Sequence, residues 1–202
     1  MCIRDRSQGY VLQGLTAIDH PRAEQLFLYA PDLFNNGGNV SEAQVADDHG
    51  RFAYLWEPFG FVCDLTSRYR PWEGGIFGDA LLDYLFGYRP DAPAGRISIT
   101  SHLPSTWEYA RVAGLTYGDG GVDIDVSESK GTRTVEVRAD GVSFAMELNV
   151  SVSGDITGLK IDGVEQDLAE YQIDSEWGIS RITVSDVPLS AGDEVSIRVS
   201  HE

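Results

Sequence analysis

The sequence predicts an α+β chain, with helices and loops first and an antiparallel β-sandwich after them. Three observations predict it. Ile76, Phe77, Ala80, Leu81, Tyr84 and Leu85 recur at helical spacing. From Arg96 the apolar period switches to two, as in Arg96-Ile97-Ser98-Ile99-Thr100. Turn signals then recur at Gly118-Asp119-Gly120-Gly121, Ala139-Asp140-Gly141, Ile161-Asp162-Gly163 and Ser190-Ala191-Gly192-Asp193.

Taken in order, Gln8 to Ala17 reads as the tail of a helix. Asp19-His20-Pro21 reads as a helix start, with Asp capping and Pro in the first turn. Ala23, Leu26, Phe27 and Ala30 follow at helical spacing, and Asn35-Asn36-Gly37-Gly38 stops them. Val40 to Arg70 is irregular, with a hairpin expected around Asp47-Asp48-His49-Gly50. Its Trp, Tyr, Phe, Glu and Asp content is not that of a linker. Arg70 to Gly75 reads as a loop carrying Trp72 and Glu73, and the apolar helix follows. Gly87 ends that helix, and Pro90 and Pro93 prevent re-entry. Strands are expected at Val122–Val126, Thr134–Arg138, Phe144–Val152, Ile179–Val184 and Val195–Val199. Trp177 is expected to pack in the core.

Composition narrows the partners. A net charge of −17 over 202 residues disfavours nucleic-acid phosphate. No apolar run approaches the ~18 residues of a transmembrane helix, so no membrane partner is expected. Lys130 and Lys160 are the two lysines in a chain rich in Asp, a bias shared with salt-adapted proteins. With Cys2 set aside, Cys63 has no disulfide partner and forms no Cys-based zinc cluster. The four His are scattered, and Asp123-x-Asp125 fits a solvated strand face with Val122, Ile124 and Val126 inward. Neither a metal nor any other cofactor is therefore expected.

The chemistry-bearing residues gather in the irregular region. Glu42 and Glu57 lie there and Glu73 in the loop that follows, the last two directly after Trp56 and Trp72. Glycoside hydrolysis uses two carboxyl groups, one protonating the leaving oxygen and one activating water or attacking carbon. An indole beside a carboxyl stacks on a sugar ring and lowers the local dielectric, which raises the carboxyl pKa. Asp64, in the same region, is a further candidate to hydrogen-bond a sugar hydroxyl. A solvated or salt-bridged role for each of these acids is the plainer alternative.

The order of segments carries a family resemblance. A Glu-bearing loop precedes Gly75-Ile76-Phe77-Gly78-Asp79-Ala80-Leu81-Leu82-Asp83-Tyr84-Leu85-Phe86-Gly87-Tyr88-Arg89-Pro90. Gly95-Arg96-Ile97-Ser98-Ile99 and His102-Leu103-Pro104-Ser105-Thr106-Trp107 follow, ahead of a strand-rich tail. This set resembles the C-terminal end of the six-hairpin glycosidases, the (α/α)6-barrel hydrolases. The likeness is greatest to α-L-rhamnosidase-like members, with glucoamylase-like and disaccharide-phosphorylase-like members behind. It implies terminal helices of an (α/α)6 barrel, a "G-x-R-P" helix exit, and a segment "I-x-I-x-x-x-L-P-x-x-W" opening a β-sandwich.

For Glu57 the resemblance implies a general base, through Leu55-Trp56-Glu57 and a "T-x-L/M-W-E" pattern, with Ala53 where the Thr would stand. Glu42 is implied instead by Ser41-Glu42-Ala43-Gln44, which is similar to the "S-E-Q" segment of glucoamylase-like members. Tyr69-Arg70 occupies the place of an Asn-His pair in the rhamnosidase-like pattern. Trp56, Trp72, Glu73 and Asp64 are left as substrate contacts, Trp72 and Glu73 on the rim.

The expected layout follows. Met1 to Arg6 resembles the translated end of a sequencing adapter and is set aside from the fold reading as an expected artefact. Residues 7–95 form the end of a helical barrel with its active-site loops, and residues 96–202 a β-sandwich. The general acid and the rest of the barrel would lie upstream, and the 202-residue chain alone would not hydrolyse a glycoside. Localisation cannot be read from such a start. The alternative is a non-catalytic sandwich that binds carbohydrate or supports a neighbouring domain. A polysaccharide lyase would need a basic groove, against which the charge argues.

Overall fold

A computed structural model describes the backbone of residues 2–28, 34–35, 39–40, 43–46, 52–54 and 71–202, and the side chains of residues 9–28 and 78–202. The chain divides into two compact units, Met1–Asp83 and Tyr84–Glu202.

The first unit opens with β1 (Cys2–Arg4), α1 (Asp5–Ala17) and α2 (Arg22–Leu28). Short strands follow: β2 (Phe34–Asn35), β3 (Asn39–Val40), β4 (Ala43–Ala46) and β5 (Phe52–Tyr54). β4 pairs antiparallel with both β1 and β5, and β2 pairs with β3. The expected hairpin around Asp47 to Gly50 is thus flanked by a paired β4 and β5, while residues 47–51 lie outside the described residues.

Asp19 does not start a helix; it ends one. Its N–H bonds Thr16 O at 3.1 Å, and the N–H of His20 reaches back to Leu15 O at 2.9 Å. That is the doubly bonded C-terminal cap of α1, with Asp19 at a φ of 51° in the place usually taken by Gly. The start of α2 is capped instead by His20, whose Nδ1 accepts from the Arg22 N–H at 3.1 Å. Leu12, Ala23 and Phe27 are buried.

α3 (Pro71–Phe86) runs from the first unit into the second. Its helical turn begins at Pro71, before the Ile76 start that apolar spacing predicts. Pro is preorganised for the first helical position, and an acid such as Glu73 is favoured near a helix N-terminus. Gly74 and Gly75 cost about 1 kcal/mol each relative to Ala without breaking the 16-residue helix. The expected stripe is buried at Ala80, Tyr84 and Leu85, and Phe86 joins it, while Leu82 faces solvent.

The second unit continues with β6 (Arg89–Asp91), a 3-10 turn at Ala92–Ala94, β7 (Arg96–Ser101), β8 (Tyr109–Tyr117), β9 (Gly120–Glu128) and β10 (Thr132–Asp140). It is completed by β11 (Phe144–Ser153), β12 (Ile156–Ile161), β13 (Val164–Glu165), β14 (Gln172–Glu176), β15 (Ile179–Leu189) and β16 (Glu194–His201). These strands make two sheets, ordered β13-β12-β16-β10-β9-β8 and β14-β15-β11-β7-β6. All pairs are antiparallel except β7 with β11, which run parallel. Strict alternation predicts an antiparallel sandwich throughout, and this one pair departs from it. β7 and β11 can pair in parallel because the long excursion through β8, β9 and β10 connects them.

The core is the set of inward alternate residues. Val122, Ile124 and Val126 of β9 lie beside Val135, Val137 and Ala139 of β10, all at 0% exposure, so the outward placing of Asp123 and Asp125 holds. The other sheet contributes Ile97 and Ile99, then Met146, Leu148, Val150 and Val152, then Ile182 and Val184.

Two-residue hairpins close on Lys130-Gly131, Asp162-Gly163 and Trp177-Gly178, each with both residues at positive φ. Such type I′ turns match the right-handed strand twist. Trp177 is therefore a turn residue, 49% exposed, and not the core residue expected from its apolar bulk. Its φ of 53° is unusual for a large side chain.

Candidate functional site

Glu42, Trp56, Glu57 and Asp64 lie outside the described residues. Trp72 and Glu73 sit in the first turn of α3, on helical backbone rather than in a loop. The described geometry therefore bears on the segments that follow them, namely the helix exit and the sandwich it opens.

The exit is built from the residues of the "G-x-R-P" and "L-P-x-x-W" segments. Gly87 takes a φ of 48° directly after the last turn of α3. A Cβ there would stand 2.8 Å from both Cβ and O of Thr100 on β7. Glycine is thus required twice, by conformation and by close approach.

The open end of α3 is capped from β7. The His102 N–H donates to Leu85 O at 3.3 Å. The His102 Nδ1 lies 3.1 Å from Tyr84 O, which can only accept, so Nδ1 carries the proton in this contact. The two rings stack with centroids 5.2 Å apart, and both residues are buried. Two of the helix's last carbonyls are satisfied in this way.

The remaining exit residues extend the sheet. β6 pairs antiparallel with β7 through Arg89, Pro90 and Asp91. Pro90 is tolerated because β6 is an edge strand. Asp91 Oδ1 accepts from the Ala94 N–H at 3.2 Å and so caps the 3-10 turn. The Tyr88 hydroxyl donates to Thr116 O at 3.0 Å. Burial, with Tyr117 nearby, pushes its pKa up to about 12. The Trp107 N–H bonds Pro104 O at 2.9 Å, which closes the turn ahead of β8.

Gly87→Ala is expected to cost about 2–4 kcal/mol, from left-handed strain plus displacement of β7. Urea denaturation of the full chain measures it. A loss below about 1 kcal/mol would mean that the strand yields freely at Thr100.

Two polar clusters lie on the sandwich surface. On the outer face of β8 and β9, the Tyr109 hydroxyl donates to Asp125 Oδ1, a contact that raises the pKa of this exposed phenol. Arg111 bonds Asp123 at 3.4 Å and lies 3.7 Å from Asp125.

The second cluster rims a groove of about 380 Å³ beside β6, β7, β11 and β15. Arg89, Asp91, Arg96, Glu147 and Asp186 surround it. It owes its shape to a β-bulge. β11 passes from Met146 to Leu148 while β15 passes from Val187 to Val184, which places Ser185 and Asp186 opposite Glu147. Asp186 takes a φ of 55°, and its Oδ1 pairs with Arg96 Nη2 at 3.0 Å.

The groove is not among the features the sequence predicts. The available signal was the broken alternation at Ser185-Asp186-Val187-Pro188 inside a strand pattern. Among the described residues, no group of three or more His, Cys, Asp or Glu could hold a metal ion. No described helix is long and apolar enough to cross a membrane.

No protein-family model matches the sequence, and no curated protein matches it. Among solved structures the chain is similar to an α-L-rhamnosidase from Dictyoglumus thermophilum, at 15% identity and a TM-score of 0.42. That match covers 62% of this chain and 14% of the other. It is also similar to a cycloalternan-forming enzyme from Listeria monocytogenes in complex with a pentasaccharide substrate, at 18% identity and a TM-score of 0.37. There the match covers 52% of this chain and 10% of the other. An uncharacterized protein from Listeria monocytogenes EGD-e, in complex with α-D-glucose, β-D-glucose, magnesium and calcium, matches at 17% identity and a TM-score of 0.37 over the same shares. At these identities and scores the likeness establishes neither family nor activity for the chain.

Proposed function

We propose that the chain is the C-terminal part of a glycoside hydrolase, the last helices of an (α/α) barrel followed by a β-sandwich. In this reading Glu57 is the general base, with Glu42 the alternative. Trp56, Trp72, Glu73 and Asp64 contact the sugar, and the general acid lies upstream. The base takes a proton from water as the water oxygen bonds the anomeric carbon. The acid gives a proton to the departing oxygen as the glycosidic bond breaks.

One observation carries the reading. Within the second unit, the segments that resemble the six-hairpin glycosidases, from Tyr84-Leu85-Phe86 through Gly87-Tyr88-Arg89-Pro90 into β7 and His102, lie together, with His102 capping the helix end. Gly87 and His102 each have a structural reason to be there, and Pro90 is compatible with its edge strand.

A second reading, a non-catalytic module that binds carbohydrate or supports a neighbouring domain, is favoured by Trp107 and Tyr109, 39% and 52% exposed on the sandwich.

Sequencing the gene upstream of Ser7 tests the first reading. Further paired amphipathic helices and a second candidate carboxylate are expected. Another β-sandwich or a low-complexity linker there would overturn it in favour of the module.

A further inference from the structure

We propose that the groove at the β15 bulge binds a neutral saccharide, holding a pair of vicinal hydroxyls between the Arg96 guanidinium and the Asp186 carboxylate. This rests on the carbohydrate side of the reading above and is independent of catalysis by Glu57.

The shape allows it. A volume of about 380 Å³ falls at the low end of the roughly 300–1,000 Å³ of small-ligand sites. The charge inventory is Arg89 and Arg96 against Asp91, Glu147 and Asp186, two positive and three negative groups and so a net of −1. Such a rim offers no strong field to a phosphate or to a cation. It offers instead many separate donors and acceptors.

The chemistry fits a diol. Each hydroxyl both donates and accepts, and two vicinal hydroxyls need donors and acceptors side by side. Arg96 and Asp186 are paired at 3.0 Å, with side chains 63% and 71% exposed. A guanidinium has five N–H donors and an ionised carboxylate about four acceptor sites, so one mutual hydrogen bond leaves both with capacity to spare. Ser98 and Ser185 line the same groove and can donate or accept.

Stability alone does not account for the arrangement. An exposed ion pair adds little to stability, and Asp186 holds a left-handed backbone that only Gly and, less often, Asn or Asp adopt. The bulge nevertheless turns both Ser185 and Asp186 outward, directly after buried Val184. Bulges are a recurrent device for re-aiming side chains at sites.

The test is a ¹⁵N–¹H NMR titration of the 202-residue chain with methyl α-L-rhamnopyranoside, methyl α-D-glucopyranoside and maltotriose. At least one is expected to give saturable shifts at the amides of Arg96, Ser98, Glu147 and Asp186. Asp186→Gly suits the φ of 55° and so keeps the bulge while deleting the carboxylate. It is expected to weaken binding tenfold or more with the rest of the spectrum unchanged. Arg96→Gln should do the same. No saturable shift in the groove with any of the three saccharides would overturn the proposal, as would undiminished binding by Asp186→Gly. Either failure leaves the hydrolase reading standing, because that reading places its chemistry at Glu57 or Glu42.

Discussion

Glu57→Gln, made in the protein extended by its upstream coding sequence, is expected to lower kcat by about 10²–10⁴-fold. Gln keeps the size of Glu and can still hydrogen-bond water, but its amide cannot take the proton that water must lose. The stacking proposed for Trp56 and Trp72 does not depend on that proton, so KM should move far less than kcat. The acidic limb of the kcat/KM pH profile reports the base in the free enzyme and should disappear with it. Glu42→Gln is the paired measurement. If Glu57 is the base, Glu42→Gln should leave kcat within about tenfold. The reverse pattern would assign the role to Glu42 and the glucoamylase-like segment Ser41-Glu42-Ala43-Gln44. Near-full activity in both variants would remove the two carboxylates from the mechanism.

Arg133→Ala is expected to destabilise the unit Tyr84–Glu202 by about 3–5 kcal/mol. Arg133 opens the inward row that continues with Val135, Val137 and Ala139, and it is 5% exposed. Its Nε donates to Glu128 Oε2 at 2.9 Å, Nη1 to Ser151 O at 2.8 Å and Nη2 to Leu103 O at 3.3 Å. Through Ser151 it ties β10 of one sheet to β11 of the other. Glu128 also meets His201 Nε2 at 3.0 Å, and His201 Nδ1 lies 2.9 Å from Ser153 O.

Removing the guanidinium takes three hydrogen bonds from this end of the sandwich and leaves Glu128 half-paired beside the core. Hydrogen bonds to charged groups are worth about 1.5–3 kcal/mol, and a buried group left unmet costs its desolvation as well. Glu128→Gln keeps an acceptor for Arg133 and is expected to cost less, about 1–2 kcal/mol. Denaturant midpoints of the two variants decide the matter. An Arg133→Ala loss below about 1 kcal/mol would mean that water replaces the guanidinium without penalty.

The sandwich was legible where alternation is strict and one face is dry. Val122, Ile124 and Val126, and Val135 and Val137, announced themselves because every second residue is fully buried. β8, β12 and β14 did not. β8 is an edge strand whose alternation slips between Val112 and Leu115, around Gly114 at a φ of 71°. β14 is exposed at all five positions and carries no apolar face to read. β12 is short and slips in register beside Gly158.

The start of α3 was misplaced because Gly74 and Gly75 suggest a loop, whereas Pro71 and Glu73 suit a helix N-terminus. Arg133 stands two residues before Val135 on the same face, so its burial was readable in principle; polarity alone argued against it. Broken alternation at Ser185-Asp186 marks the bulge in the sequence, but the groove beside it is not readable from that alone. It depends on one extra residue in β15 and on the parallel neighbour β7, and a non-local pairing leaves no local period. The candidate catalytic residues were legible only as residue types and through the family resemblance. Glu42, Trp56, Glu57 and Asp64 lie outside the described residues, and for Trp72 and Glu73 the backbone alone is described.

Sugar release from a panel of aryl glycosides, by the 202-residue chain and by the upstream-extended protein side by side, tests the central claim most directly. The expected result is saturable turnover of at least one glycoside by the extended protein and none by the 202-residue chain. Turnover by the shorter chain, or its absence from both across the panel, would contradict the proposal that this chain is the terminal part of a glycoside hydrolase.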